Sequence, residues 1–227
     1  MSKNIVEKID DRVKIRTVLC SVSDKTGLET FIPGLVAVNP DILILSTGGT
    51  YNAIAQILGK KAGTCLKQVS DYTGQPETQG GLVKTLDFKI YLGLLTETYN
   101  EAHQNDLKRT SALAIDMVVV NLYPFSDTVA KKYVTPEEAR GNIDIGGPTM
   151  IRAAAKNFIR VASVVNPLSY PTVLEILEGS KGYLSLKDRF DLSKKAFEHT
   201  ALYDRAIAGY LASQPFSSVE SCYTPGE

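Results

Sequence analysis

The sequence predicts an α/β protein built on a mostly parallel sheet, and three observations carry that reading. Residues 17–22 (TVLCSV), 42–46 (ILILS) and 116–122 (DMVVVNL) are short apolar runs of the kind buried on both faces of a sheet. The first two pass directly into a Ser/Thr/Gly/Asp turn and then a helical segment, the alternation that parallel strand pairing requires. The third ends in Asn121-Leu122-Tyr123-Pro124, and the carboxyl ends of strands are where open α/β sheets bind ligands.

Taken in order, residues 1–16 are a lead-in in which charged and apolar residues alternate. It lacks the continuous apolar stretch of a signal peptide or membrane span, so a cytoplasmic protein is expected. After the first strand, Ser23 and Asp24 read as caps of a helix running to about Leu35. After the second, Thr47-Gly48-Gly49 is a turn and residues 50–58 (TYNAIAQIL) a helix with an apolar face. Residues 65–69 give a third strand, and residues 70–84 a long irregular loop of the kind that carries function.

Helical segments near residues 88–95 and 99–113 lead to the strand at 116–122. Pro136 then opens a helix to about Asn142, Asp144-Ile145-Gly146-Gly147 turns, and Pro148 opens a helix through Asn157. Residues 161–165 are the next strand, 170–177 and 186–211 are helical, and the polar residues 214–227 are a fraying tail. One domain, residues 17–213, accounts for the chain.

Its 25 Lys and Arg balance 25 Asp and Glu, so no excess positive field would hold a nucleic acid. Cys20, Cys65 and Cys222 are odd in number and far apart, which rules out an all-disulfide framework and fits a reducing compartment. His103 and His199, the only histidines, sit in no metal-ligand spacing, so no metal is expected.

Two strand-to-helix junctions, Ser21-Val22-Ser23-Asp24-Lys25 and Ser46-Thr47-Gly48-Gly49-Thr50, put hydroxyls and unpaired N–H groups at helix starts. Such ends attract phosphate, and Lys25 adds a cation; the same hydroxyls would serve equally as ordinary helix caps. Lys84 and Thr85 stand in the long loop, where a lone lysine is ordinarily a solvated charge. Tyr123 is either a ligand-facing group or a rim aromatic. In residues 142–157 the glycines allow close approach to a ligand, and Asp144 and Lys156 either converge on one pocket or are a cap and a surface charge.

Together SVSDKTGL, LSTGGT, VSDYTGQPE, VKTL, VVVNLYPF and IDIGGPTMIRAAAKN, in that order, resemble the IMP cyclohydrolase half of the bifunctional AICAR transformylase/IMP cyclohydrolase family, and KAFEHTALYD at residues 195–204 extends the likeness. The resemblance implies a methylglyoxal-synthase-like fold, a three-layer α/β/α sandwich, acting as a homodimer without metal or organic cofactor. It implies that a formylated aminoimidazole carboxamide ribotide is cyclised to IMP with loss of water. By motif, Ser21, Ser23, Lys25, Thr47, Gly49, Thr50 and Thr85 would hold phosphate and ribose, and Asn121 and Tyr123 would face the base. Lys84, Asp144 and Lys156 would manage protons, and N–H groups around Ile145 and Gly146 the oxyanion.

The family loop reads G-R-V-K-T-L-H-P, whereas this chain has Gly81-Leu82-Val83-Lys84-Thr85-Leu86-Asp87-Phe88, so a guanidinium and an imidazole are missing. Tyr91-Leu92-Gly93 likewise stands in place of a histidine-containing stretch. The R-Y-G-x-N-P-H-Q motif of the transformylase half is absent, so formyl transfer is not expected of this sequence; either a separate formyltransferase or sequence beyond this stretch would supply that step. The altered loop also suits a nucleotide-binding module with weak or no turnover. The NLYPF and IDIGGPT runs argue against a methylglyoxal synthase.

Overall fold

The computed structural model describes residues 5–75 and 85–226. Its centre is a five-stranded parallel sheet in the order β4-β3-β2-β5-β6, formed by β2 (Thr17–Val22), β3 (Leu43–Ser46), β4 (Leu66–Gln68), β5 (Met117–Asn121) and β6 (Ala162–Val164). The side chains alternate as a pleat demands. Val18, Cys20, Met117 and Val119 join one core, covered by α1 (Leu28–Val38), α2 (Gly48–Leu58) and α10 (Tyr170–Gly179). Leu19, Val118 and Val120 join the other, covered by α5 (Phe88–Leu95), α9 (Gly146–Lys156) and the long α11 (Leu186–Ser213). The result is the expected three layers.

Chain order runs outward from β2 through β3 to β4, then returns to β2's other side for β5 and β6. The reversal lies between β2 and β5, whose last paired residues are Val22 and Asn121. Crevices form at such points because the flanking connections leave in opposite directions.

Several boundaries differ from expectation, each for a local reason. α1 begins at Leu28 rather than directly after Asp24, because Gly27 takes a left-handed φ of 79° and residues 23–27 stay a loop. A Cβ at Gly27 would also press on the Tyr170 ring at 3.2 Å, and that ring stacks on Phe31 at 4.3 Å to join α1 to α10. α9 begins at Gly146 rather than Pro148, so the glycines form its first turn, where neither an N–H nor a side chain is required of Pro148. The third strand is shorter than expected, because Cys65 ends the short α3 (Ala62–Cys65) and Val69 opens α4 (Val69–Thr73), which carries helix into the expected loop.

Three-residue strands β1 (Arg12–Lys14) and β7 (Tyr183–Ser185) form a separate antiparallel pair, too short for a periodicity to reveal. α6 (Glu101–Thr110) starts two residues later than expected, where Asn100 accepts the His103 N–H. α7 (Phe125–Val129) and α8 (Pro136–Gly141) follow β5, the latter with a Thr135–Glu138 capping box. The tail does not fray throughout. Phe216–Glu220 (α12) is helical, and the Tyr223 hydroxyl donates to Glu137, which also pairs with Arg140 at 2.6 Å.

At the sheet's amino end, buried Asp116 accepts the N–H groups of Arg16 and Thr17 at 2.9 and 3.0 Å and meets Arg160 at 3.3 Å. Burial raises its pKa, and Arg160 opposes that rise. This pair fixes β2 against β5 at the end away from the crevice. Among the described residues no helix is long and apolar enough to cross a membrane.

Candidate active site

A cleft of about 400 Å³ opens at the carboxyl ends of β2, β3 and β5, over the sheet's reversal point. Ser21, Ser23, Lys25, Thr47, Gly49 and Thr50 line one side, and Thr85, Asn121, Tyr123, Asp144, Ile145 and Gly146 the other. The sequence therefore identified nearly all of its polar wall. Lys84 and Leu82 lie outside the described residues, next to Thr85.

The first side is built by hydroxyls that lock two junctions together. Ser21 and Thr47 share a hydrogen bond of 2.9 Å, and Thr50 both accepts the Val22 N–H and donates to the Val22 carbonyl at 3.0 Å. Thr47 is extended and makes no side-chain cap, so α2 presents the N–H groups of Gly48 and Gly49 without a partner among the described residues. A Cβ at Gly49 would meet nothing within 4 Å, so that helix start faces open space. Lys25 donates to the Ser23 carbonyl at a long 3.4 Å and is exposed at the rim. It is the one cation lining the cleft among the described residues. Beside it, hydrogen bonds from Thr26 and then the charge of Lys25 hold Asp24 below the usual carboxylate range.

Asn121 has a task beyond the one expected. Its Oδ1 accepts the N–H groups of Ser23 and Asp24 at 2.7 and 2.8 Å, and its Nδ2 donates to the Asp24 carbonyl at 2.8 Å. The amide thereby shapes the 23–24 loop of the anion-facing wall, while Asn121 also lines the cleft. Tyr123, 48% exposed, leans from the end of β5 over the opening.

The Asp144 segment is set by packing. Asp144 Oδ1 accepts the Gly147 N–H at 2.8 Å, and its own N–H donates to the Tyr203 hydroxyl at 2.8 Å. A Cβ on Gly146 would lie 2.5 Å from Thr85 Oγ1, and one on Gly147 2.5 Å from Asp144 Oδ2 and 2.6 Å from Leu122. Gly147→Ala is therefore expected to cost roughly 1–3 kcal/mol of overpacking and to push Asp144 off its position. A lowered urea midpoint together with weaker nucleotide binding by calorimetry is the check; wild-type values in both would contradict the packing.

Lys156 does not join the others. It is exposed at the last turn of α9, ten residues from Gly146, so helical rise puts it roughly 15 Å from the cleft end. Asp144 and Lys156 thus occupy opposite ends of one helix, and the expected convergence does not occur within the chain. Tyr203 and Met150, by contrast, were not anticipated. Tyr203 follows the buried stripe Leu192, Ala196 and Thr200 of α11 at helical spacing, a pattern that signals packing but not a contact with Asp144. Among the described residues, no three His, Cys, Asp or Glu side chains gather where a metal could be held.

Comparison with known proteins fits this geometry. A family model described as the MGS-like domain matches residues 27–149, which contain β3, β5 and the start of α9 at the cleft, while β2 precedes the matched span. The chain belongs to that family. Beyond this MGS-like domain, a model described as the AICARFT/IMPCHase bienzyme matches residues 154–224. The bifunctional purine biosynthesis protein PurH of Acetivibrio thermocellus is 47% identical over 88% of the chain, and that of Ruminiclostridium cellulolyticum 48% over 87%. The chain spans only 37% of the length of each of these relatives. Among solved structures, the crystal structure of ForH matches with a TM-score of 0.73 and 30% identity, covering 85% of this MGS-like chain and 95% of ForH.

Proposed function

We propose that the chain is an IMP cyclohydrolase, closing 5-formamidoimidazole-4-carboxamide ribotide to IMP with loss of water. The observation that carries this reading is one cleft with two unlike walls. Lys25, the hydroxyls of Ser21, Ser23 and Thr47 and the start of α2 suit a monophosphate, while Asp144, Tyr123 and Gly146 line the space beyond it. Its volume of about 400 Å³ suits a mononucleotide. The kinship with purine biosynthesis proteins supports the choice of substrate.

In the reaction the carboxamide nitrogen adds to the formyl carbon and gives up one proton. The carbonyl oxygen becomes an oxyanion, is protonated, and leaves as water together with the formamido N–H proton. Asp144 accepts the first proton, the Gly146 N–H receives the developing oxyanion, and Tyr123 and Lys84 supply protons to the departing oxygen. Holding the two reacting groups of one substrate together does much of the work, since ring closure needs orientation more than a strong nucleophile. The same reading has the chain working in a cytoplasmic homodimer.

Purified protein given the formylated ribotide is expected to form IMP well above the buffer rate, followed by chromatography. No acceleration would end the enzyme reading. The placement of Lys156 away from the cleft favours one alternative, a purine-nucleotide-binding module without turnover. Tight IMP binding by calorimetry with no product formation would select it.

A further inference from the structure

The following rests on the ring-closing reading. From the hydrogen bond between the Asp144 N–H and the Tyr203 hydroxyl, we infer that Tyr203 is a positioning residue for the reaction, through which α11 completes the cleft. The geometry has two contacts, one to the segment of Asp144 and one to the segment of Tyr123. Tyr203 is buried on α11, and its hydroxyl accepts the Asp144 N–H at 2.8 Å, also reaching the Asn142 carbonyl at 3.5 Å. Asp144 is thereby fixed at both ends, its backbone on Tyr203 and its Oδ1 on the Gly147 N–H at 2.8 Å. The Tyr203 ring meets Phe125 edge-on at 6.3 Å, and the Phe125 N–H donates to the Tyr123 carbonyl at 2.8 Å.

One side chain therefore braces the segments that carry both Asp144 and Tyr123. It comes from beyond residues 27–149, so this hydrogen bond to the Asp144 N–H is supplied from outside the MGS-like portion. Reacting groups tolerate little displacement, since an error of about 1 Å can cost roughly a hundredfold in rate.

Tyr210 supplies the internal control. It packs on the same Phe125 ring at 5.8 Å, also edge-on, but its buried hydroxyl has no hydrogen-bond partner among the described residues. Tyr203→Phe and Tyr210→Phe each remove one oxygen and keep the ring, in the full chain. Tyr203→Phe is expected to lower kcat roughly ten- to a hundredfold with KM and IMP affinity within about twofold, and to lose protection of the Asp144 amide in hydrogen exchange. Tyr210→Phe is expected to leave all of these at wild-type values. Wild-type kcat and amide protection in Tyr203→Phe would overturn the inference, as would equal kcat losses in both variants. If the wild-type chain shows no turnover, the ring-closing reading fails by itself. Amide exchange at Asp144 then still decides whether Tyr203 holds the segment.

Discussion

Replacing Arg189 by methionine is expected to lower the stability of the folded chain by about 4 kcal/mol, the cost of leaving two or more buried carbonyls without donors. Arg189 is 0% exposed and its guanidinium donates to five backbone carbonyls: Asp10, Asp11, Phe158, Ile159 and Leu184, at 2.6–3.1 Å. Those carbonyls come from the lead-in, from the connection after α9 and from β7. Burial lowers the arginine's pKa, and the nearby charges of Asp11, Asp10 and Asp188 counter that effect. A buried charge can often be exchanged for an apolar isostere when its partner is removed as well, but here the partners are main chain and stay. Methionine would fill the volume and leave carbonyls without donors, each such loss costing about 1–3 kcal/mol where water cannot enter. Lysine should not rescue, because three donors on a flexible stem cannot reproduce a planar fork of five. Urea unfolding checks this, with Lys187→Ala as a comparison, since Lys187 pairs with Asp191 on the exposed side of the same helix. A midpoint for Arg189→Met equal to that of Lys187→Ala would contradict the account. Total stabilities are about 5–15 kcal/mol, so the loss would be a large share of what holds the fold.

Legibility in the sequence followed the range of the interactions involved. Continuous apolar runs such as residues 117–121 announce a buried parallel strand because both faces must be covered, and the strand-helix rhythm then places its carboxyl end at a ligand site. Ser21, Thr47 and Thr50 were readable for the same reason: they sit at turns whose position the rhythm fixes. The task of Asn121 was not, because its partners lie 97 and 98 residues earlier and only the pairing of β2 with β5 brings them near. Tyr203 and Asp144 are likewise 59 residues apart. Lys156 depended on where one helix starts. With α9 beginning at Gly146 the helical rise separates it from Asp144, and glycines that resemble a turn concealed that start. Asp87, a departure from the family loop, accepts the Lys89 N–H at 2.7 Å as the cap of α5 and does not line the cleft. Its carboxylate is accounted for locally as a helix cap.

Asp144→Asn is expected to reduce turnover of the formylated ribotide by roughly a thousandfold, within the usual contribution of a general base. The substitution isolates proton acceptance from structure. Asparagine retains an oxygen that can take the Gly147 N–H, and the Asp144 N–H to Tyr203 is main chain, so both holding contacts survive. Stability should then change little, and IMP affinity should stay close to wild type because the phosphate wall is untouched. Asp144→Ala removes the acceptor at the start of α9 as well and should additionally cost about 1 kcal/mol, the usual value of a lost cap. Comparing the two separates chemistry from helix capping: equal turnover losses with unequal stability place the effect on the proton. Turnover by Asp144→Asn within tenfold of wild type would remove Asp144 from the role of base. The Gly146 N–H and orientation by the phosphate wall would then have to account for the rate, and ring closure would be driven by positioning rather than proton transfer.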